Sequence, residues 1–156
     1  MNNASKGVVT LWLPASSSVT GTRPLLDAVV ERHVSEYGAT DFVVGHYGRF
    51  DYMAADAVRR AKERHPEVQL TLLLPYYPFP HDTSDYDRTY YPEGMEYVPK
   101  PFAIVRANEY MIKSVNFLIC YDTGLVGKTR DFVAMAKRRE KKGLIHVTNL
   151  ADNLAE

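Results

Sequence analysis

Cysteine is nearly absent: among 156 residues only Cys120 carries a thiol. One thiol cannot close an internal disulfide, which fits a reducing compartment, so a cytoplasmic location is expected. No apolar run approaches the length of a membrane-spanning helix, about 18 residues or more. The polar start Met1–Gly7 is not followed by a signal-peptide core, because Trp12 and Pro14 end a run of only a few apolar residues. Excess charge is missing too: 19 Lys plus Arg balance 19 Asp plus Glu. Nucleic-acid binders usually carry a basic excess, so neither nucleic acid nor membrane is expected as a partner. The histidines, at 33, 46, 65, 81 and 146, lack metal-pair spacing with one another, with Cys120 or with a close acid. No metal is therefore expected, and no resident cofactor either. No serine lies in a nucleophile elbow, and no repeat or low-complexity tract is visible.

What is present is a globular composition, 46% hydrophobic and 24% charged. The length suits a single domain spanning residues 1–156, able to bury roughly 70% of its unfolded surface. Five short, nearly continuous apolar runs, Val8–Leu13, Asp41–Val44, Gln69–Leu74, Asn116–Tyr121 and Leu144–Val147, read as strands covered on both faces. Between them lie four helical stripes. These are Leu25, Leu26, Val29, Val30 and Val34; Met53, Ala54, Ala57, Val58 and Ala61; Ala103, Ala107, Tyr110, Met111 and Val115; and Phe132, Val133 and Ala136. Gly38 and Gly143 close the first and last of these helices. The alternation predicts an α/β fold: a three-layer, Rossmann-like domain with a five-stranded, mainly parallel sheet and four main helices. His33 and His65 are expected on exposed helix faces, His146 on the last strand, and Cys120 as a packed thiol.

One connection is out of proportion. Pro78–Pro101 shows neither helical nor strand periodicity, is rich in Pro and Tyr, and is acidic (Asp82, Asp85, Asp87, Glu93, Glu96). Loops beyond about 12–15 residues are usually functional or disordered, and the aromatic content argues against disorder. Its tyrosines, Tyr86 and Tyr90 above all, either stack on a ligand base or pack the loop onto the domain or across a dimer interface. The fourth helix is basic instead, with Lys128, Arg130, Lys137, Arg138, Arg139, Lys141 and Lys142.

Two strand-to-helix turns carry the chemistry. Gly45-His46-Tyr47-Gly48-Arg49-Phe50-Asp51 brings two glycines to a helix N-terminus, the ingredients of a phosphate site; an ordinary turn capped by Asp51 is equally compatible. Gly124-Leu125-Val126-Gly127-Lys128-Thr129 ends like a P-loop, but Asp122 stands where that pattern needs its first glycine. A second phosphate-cradling turn, or a plain cap at Thr129, remains. Arg106, on the third helix, is suited to fork onto a phosphate or carboxylate, or to sit on a solvated face.

The motifs G-H-Y-G-R-F-D (45–51), L-L-P-Y (73–76), Y-D-R-T-Y-Y-P (86–92), P-K-P-F-A-I-V-R-A-N-E-Y-M (99–111) and G-K-T-R-D-F (127–132) together resemble one family. It is the small bacterial members of the SLOG superfamily, Rossmann-like proteins related to the LOG phosphoribohydrolases and to DprA. The resemblance implies a nucleotide-derived small-molecule ligand, held by the two glycine turns. It allows a homodimer, since related folds often dimerise through helices. LOG enzymes carry P-G-G-x-G-T-x-x-E. Gly124, Gly127 and Thr129 fall near its glycines and Thr, Asp131 near its catalytic Glu, and Arg106 is the candidate partner arginine. Here the Pro-Gly-Gly is missing, Asp replaces Glu, and Lys128 stands where Thr is expected. After the first strand, Gly21 and Arg23 remain from the phosphate-binding turn of relatives. The expected ligand residues are thus Gly21, Arg23, Gly45, His46, Gly48, Asp51, Tyr86, Tyr90, Arg106, Gly124, Gly127, Lys128 and Thr129. The leading expectation is a nucleotide-binding sensor or nucleotide-processing component. The alternatives are a hydrolase of the N-glycosidic bond of a nucleoside monophosphate, using Asp131 and Arg106, and a protein interaction module.

Overall fold

A computed structural model describes residues 6–11, 22–46, 48–122 and 128–154. The apolar runs become strands β1 (Lys6–Leu11), β2 (Ala39–Val44), β3 (Gln69–Leu73), β5 (Phe117–Cys120) and β6 (His146–Asn149), and a further strand, β4 (Arg88–Tyr90), precedes the last two. The helical stripes become α1 (Thr22–Ser35), α2 (Arg49–Arg64), α3 (Ala103–Ser114) and α4 (Lys128–Lys141), with a short α5 (Leu150–Leu154) after β6. All strand pairs are parallel, in the order β4-β3-β2-β1-β5-β6.

Strand alternation divides the core in two. Phe42, Val44, Leu70 and Ile119 face α1, α2 and α5, where they meet Leu26, Val30, Phe50, Ala54, Val58 and Leu150. Val43, Leu73, Leu118 and Cys120 face the other way, toward Ala107, Met111 and Ile112 of α3 and Phe132, Val133 and Ala136 of α4. Strands buried on both faces need apolar residues at every position, hence the continuous runs. The α4 terminus follows from its sequence: Gly143 takes φ +74, Leu144 N–H donates to Arg139 O at 3.1 Å and Gly143 N–H to Glu140 O at 2.9 Å. That is a Schellman closure, which favours glycine.

Three expectations are corrected. The sheet has six strands, not five. Arg88-Thr89-Tyr90 has no apolar run to reveal it, because all three residues are exposed at the sheet edge and the strand is held by pairing with β3. The Pro78–Pro101 connection therefore holds β4 and two 3-10 turns, Met95–Tyr97 and Lys100–Phe102. His33 lies fully buried rather than exposed. It continues the stripe of Leu26, Val29 and Val30, its Nδ1 sits 2.8 Å from Val29 O, and its ring packs edge-on against Tyr37 and Phe117. Burial drives its pKa down to about 4. His65 is half-buried at the α2 C-cap, 2.8 Å from Glu31. Cys120 is a packed thiol, and burial pushes its pKa up to about 12.

Candidate functional site

The strand order reverses between β1 and β5: the chain moves outward from β1 to β4 on one side, then returns to β5 beside β1. In open parallel sheets ligands collect at the carboxyl strand ends at such a switch point. The connections leaving β1 and β5, with Gly21, Gly124 and Gly127, lie outside the described residues. The connection leaving β2 is described on either side of Tyr47.

There, Gly48 is the N-cap of α2, with extended backbone (φ −154) and no side-chain hydrogen bond closing the cap. Its conformation is one any residue adopts, so the turn does not demand glycine at 48. Gly45 is different: a Cβ there would lie 3.1 Å from Asp51 Oδ2. Asp51, in the first turn of α2 and only 5% exposed, folds back over Gly45. The absence of a side chain at 45 gives that carboxylate its room. A carboxylate here complements the positive end of the helix dipole and opposes an incoming phosphate.

Beside the turn an aromatic cluster assembles from three segments. The His46 ring lies 4.7 Å from His81, 5.7 Å from Phe79 and 5.3 Å from Tyr52. Phe79 contacts His81 and Tyr76, and Lys100 Nζ stands 4.7 Å over the Tyr76 ring. The Tyr52 hydroxyl is 3.4 Å from His46 Nε2. Burial, and then the charge of His81, hold the His46 pKa below the usual imidazole value. Flat, partly accessible rings of this kind suit stacking on a heteroaromatic ligand.

Sequence reasoning singled out His46 but not Tyr52, Tyr76, Phe79 or His81. The signal available was position: Tyr76-Tyr77-Pro78-Phe79-Pro80-His81 leaves the carboxyl end of β3, next to the turn after β2. The tyrosines it favoured lie farther along the chain and part company. Tyr86 packs against the α1–α2 core with Arg59 5.3 Å over its ring, and burial raises its pKa. Tyr90, on β4, shares the opposite face with Leu73; its hydroxyl donates to the Tyr110 hydroxyl of α3 at 3.3 Å. That bond, with burial, raises its pKa to about 12.

Arg23 is exposed in the first turn of α1, a helix with no acid in that turn. Lys128 and Thr129 open α4, followed by exposed Asp131. Arg106 is exposed one turn into α3. Among the described residues, no hydrogen bond or ion pair joins Arg106 to Asp131. Nor do three or more His, Cys, Asp or Glu gather there as a metal site, and no helix is long and apolar enough to cross a membrane.

No protein-family model matches the chain, and no curated protein matches it. Solved structures do. Two structures of the Moco carrier protein of Chlamydomonas reinhardtii align with TM-scores of 0.52 and 0.51 at 12% and 15% identity, covering 97% of this chain and 95% and 94% of theirs. A third, of the molybdenum cofactor carrier protein from the same alga, aligns at 0.53 and 13% identity over 95% of this chain and 92% of its own. At these identities the likeness establishes a shared α/β fold.

Proposed function

We infer that the chain is a binding protein of the SLOG type for a phosphate-bearing, nucleotide-derived ligand, acting as a sensor or carrier. The observation that carries this reading is the aromatic cluster of His46, Phe79 and His81 at the carboxyl ends of β2 and β3, on the sheet edge that also holds the switch point between β1 and β5. A fold shared with proteins named as cofactor carriers supports binding rather than catalysis.

Charge favours one orientation. Three helices begin at the turns around the switch point. The first turn of α2 holds the buried carboxylate of Asp51; that of α4 holds Asp131 beside Lys128 and Arg130, and that of α1 holds Arg23 and no acid. Away from the Asp51 carboxylate, we put the phosphate end at the α1 start with Arg23, where dipole and side chain both favour an anion. The ring end stacks at His46 and Phe79, and the Asp51 carboxylate accepts a hydrogen bond from a hydroxyl or amine of the ligand. The carboxylate on α2 thus turns the Gly45–Gly48 connection from an expected phosphate cradle into the ring-binding side. No observation favours the hydrolase reading. Asp131 is exposed, and a general acid–base group is ordinarily tuned by burial or a close partner.

Calorimetric titration with AMP, GMP and their nucleosides tests this. Binding of a monophosphate at least tenfold tighter than its nucleoside is expected, a difference of about 1.4 kcal/mol. Arg23→Gln should erase that preference, and Phe79→Ala should weaken both ligands. Native mass spectrometry of the freshly purified protein should reveal a co-purified phosphate-bearing heteroaromatic compound. No binding at millimolar ligand together with no co-purified compound would overturn the reading. Release of free base that disappears in Asp131→Asn would favour the hydrolase instead.

A further inference from the structure

A separate cleft of about 280 Å³ opens where the sheet extends past its helix cover. Its floor is the α3-facing side of β2, β3 and β4, with Asp41, Val43, Thr71, Arg88 and Tyr90; its wall is the last turn of α3, including Met111, Ser114 and Val115. Asp41 and Asn116, near the amino ends of β2 and β5, set this cleft apart from the Gly45–Asp51 turn at the carboxyl ends. Just below the roughly 300–1,000 Å³ typical of ligand pockets, it suits a small metabolite.

The floor carries an ion pair bordered by the polar groups of Thr71, Thr89, Tyr90, Ser114 and Asn116, with Val43, Met111 and Val115 as the apolar part of the lining. Arg88 Nη2 lies 3.1 Å from Asp41 Oδ2, with the arginine side chain 54% and the aspartate 23% exposed. Thr71 Oγ1 donates to Asp41 Oδ1 at 2.8 Å, so the carboxylate is oriented from the β3 side while its guanidinium partner sits on an edge strand. An ion pair this exposed contributes little stability, so parting it costs little.

The charges select a ligand class by elimination. A simple anion meets Asp41 and the negative end of α3. A simple cation meets Arg88. An uncharged molecule gains only the hydroxyls at the rim. A zwitterion satisfies both charges at once: its ammonium on Asp41 beside the α3 C-terminus, its carboxylate forked by Arg88, and its side chain against Val43, Met111 and Val115. We propose that this cleft is a second binding site, for a free α-amino acid with an aliphatic side chain.

Isothermal titration of the full chain with leucine, valine and methionine is the test, with the decarboxylated amine and the N-acetylated acid of each as controls. The amino acids are expected to bind at least tenfold more tightly than either control. Asp41→Asn and Arg88→Gln should each weaken binding tenfold or more. Ser114→Trp, which fills the cleft from an exposed wall position without touching the ion pair, should abolish it while leaving nucleotide titrations unchanged. The proposal is overturned by no heat or thermal shift at 10 mM amino acid with wild-type protein, by binding that survives Ser114→Trp, or by controls that bind as well as the amino acids. An ion pair that serves only to pin β4 would give the first result, with Arg88→Gln merely lowering Tm.

Discussion

The two faces of the sheet solve the same burial problem differently. On the α1–α2 face the cover is complete. Helices α1, α2 and α5 and the ring of Tyr86 roof a continuous apolar layer that includes Phe42, Val44, Leu70 and Ile119. At the rim, charges pair between elements: Arg60 with Asp27 at 2.7 Å, Arg64 with Glu31 at 2.9 Å, and Lys62 with Asp87. On the opposite face α3 and α4 roof β5, and α3 also reaches β1. No helix follows β3 before β4, so the β4 edge of that floor stays open, and there the charged strand residues Arg88 and, partly exposed, Asp41 are found. Charged residues in these strands thus lie where helix cover ends, because a carboxylate or guanidinium under a complete roof would need a partner for every charge it loses to water.

The sharpest test of this contrast removes volume from the roofed face. Phe42→Ala, at a fully buried position, should cost about 3–5 kcal/mol in urea unfolding. Thr71→Val on the other face removes only the hydroxyl bond to Asp41 at nearly constant volume and should cost about 1 kcal/mol. Comparable losses at the two positions would break the distinction.

Acid should attack the roofed face next. His33 is buried there with its pKa lowered from 6.5 to about 4, primarily by desolvation. Below pH 6.5 the unfolded chain takes up a proton that the folded chain refuses until about pH 4. Stability contributed by the neutral ring is therefore present above pH 6.5 and lost as pH falls toward 4, by about 3 kcal/mol in all. His33→Phe keeps the contacts with Tyr37 and Phe117 but has nothing to titrate. Chemical denaturation of both proteins from pH 7 to pH 4.5 should give a steeper decline for the wild type.

The smallest effect separates two tyrosines of one loop. Tyr86→Ala removes a ring wedged between Arg59 and the α1–α2 core, and should cost about 1–2 kcal/mol of stability. Tyr90→Ala, on the open side, should cost under about 1 kcal/mol, since its hydroxyl bond to Tyr110 is exposed. Tm measurements with and without AMP then show whether either ring also contributes to ligand affinity. Equal stability losses would mean that β4 is as firmly covered as the opposite face.

Much of the architecture was legible because burial on two sides leaves a periodic mark. Leu26, Val29 and Val30, Ala54, Ala57, Val58 and Ala61, and Ala103, Ala107 and Met111 announce their helices, and all are buried as the stripes require. Strand β4 left no mark, since an edge strand held by backbone pairing has no need of apolar side chains. His33 was misjudged because its position in the stripe argued for burial while its chemistry argued for water; the Val29 carbonyl and the rings of Tyr37 and Phe117 decided for burial.

By itself the sequence determined the layers and the alternation of parallel strands with helices, since periodicity and chain order are local properties. The assembly of His46 with Phe79 and His81, the carboxylate of Asp51 over Gly45, and the pairing of Asp41 with Arg88 were decided only by tertiary structure. Each joins residues that are distant along the chain or turned toward one another by a helix start. Their meeting depends on strand order and on which face of the sheet each side chain takes, and neither is encoded in any single stretch of chain.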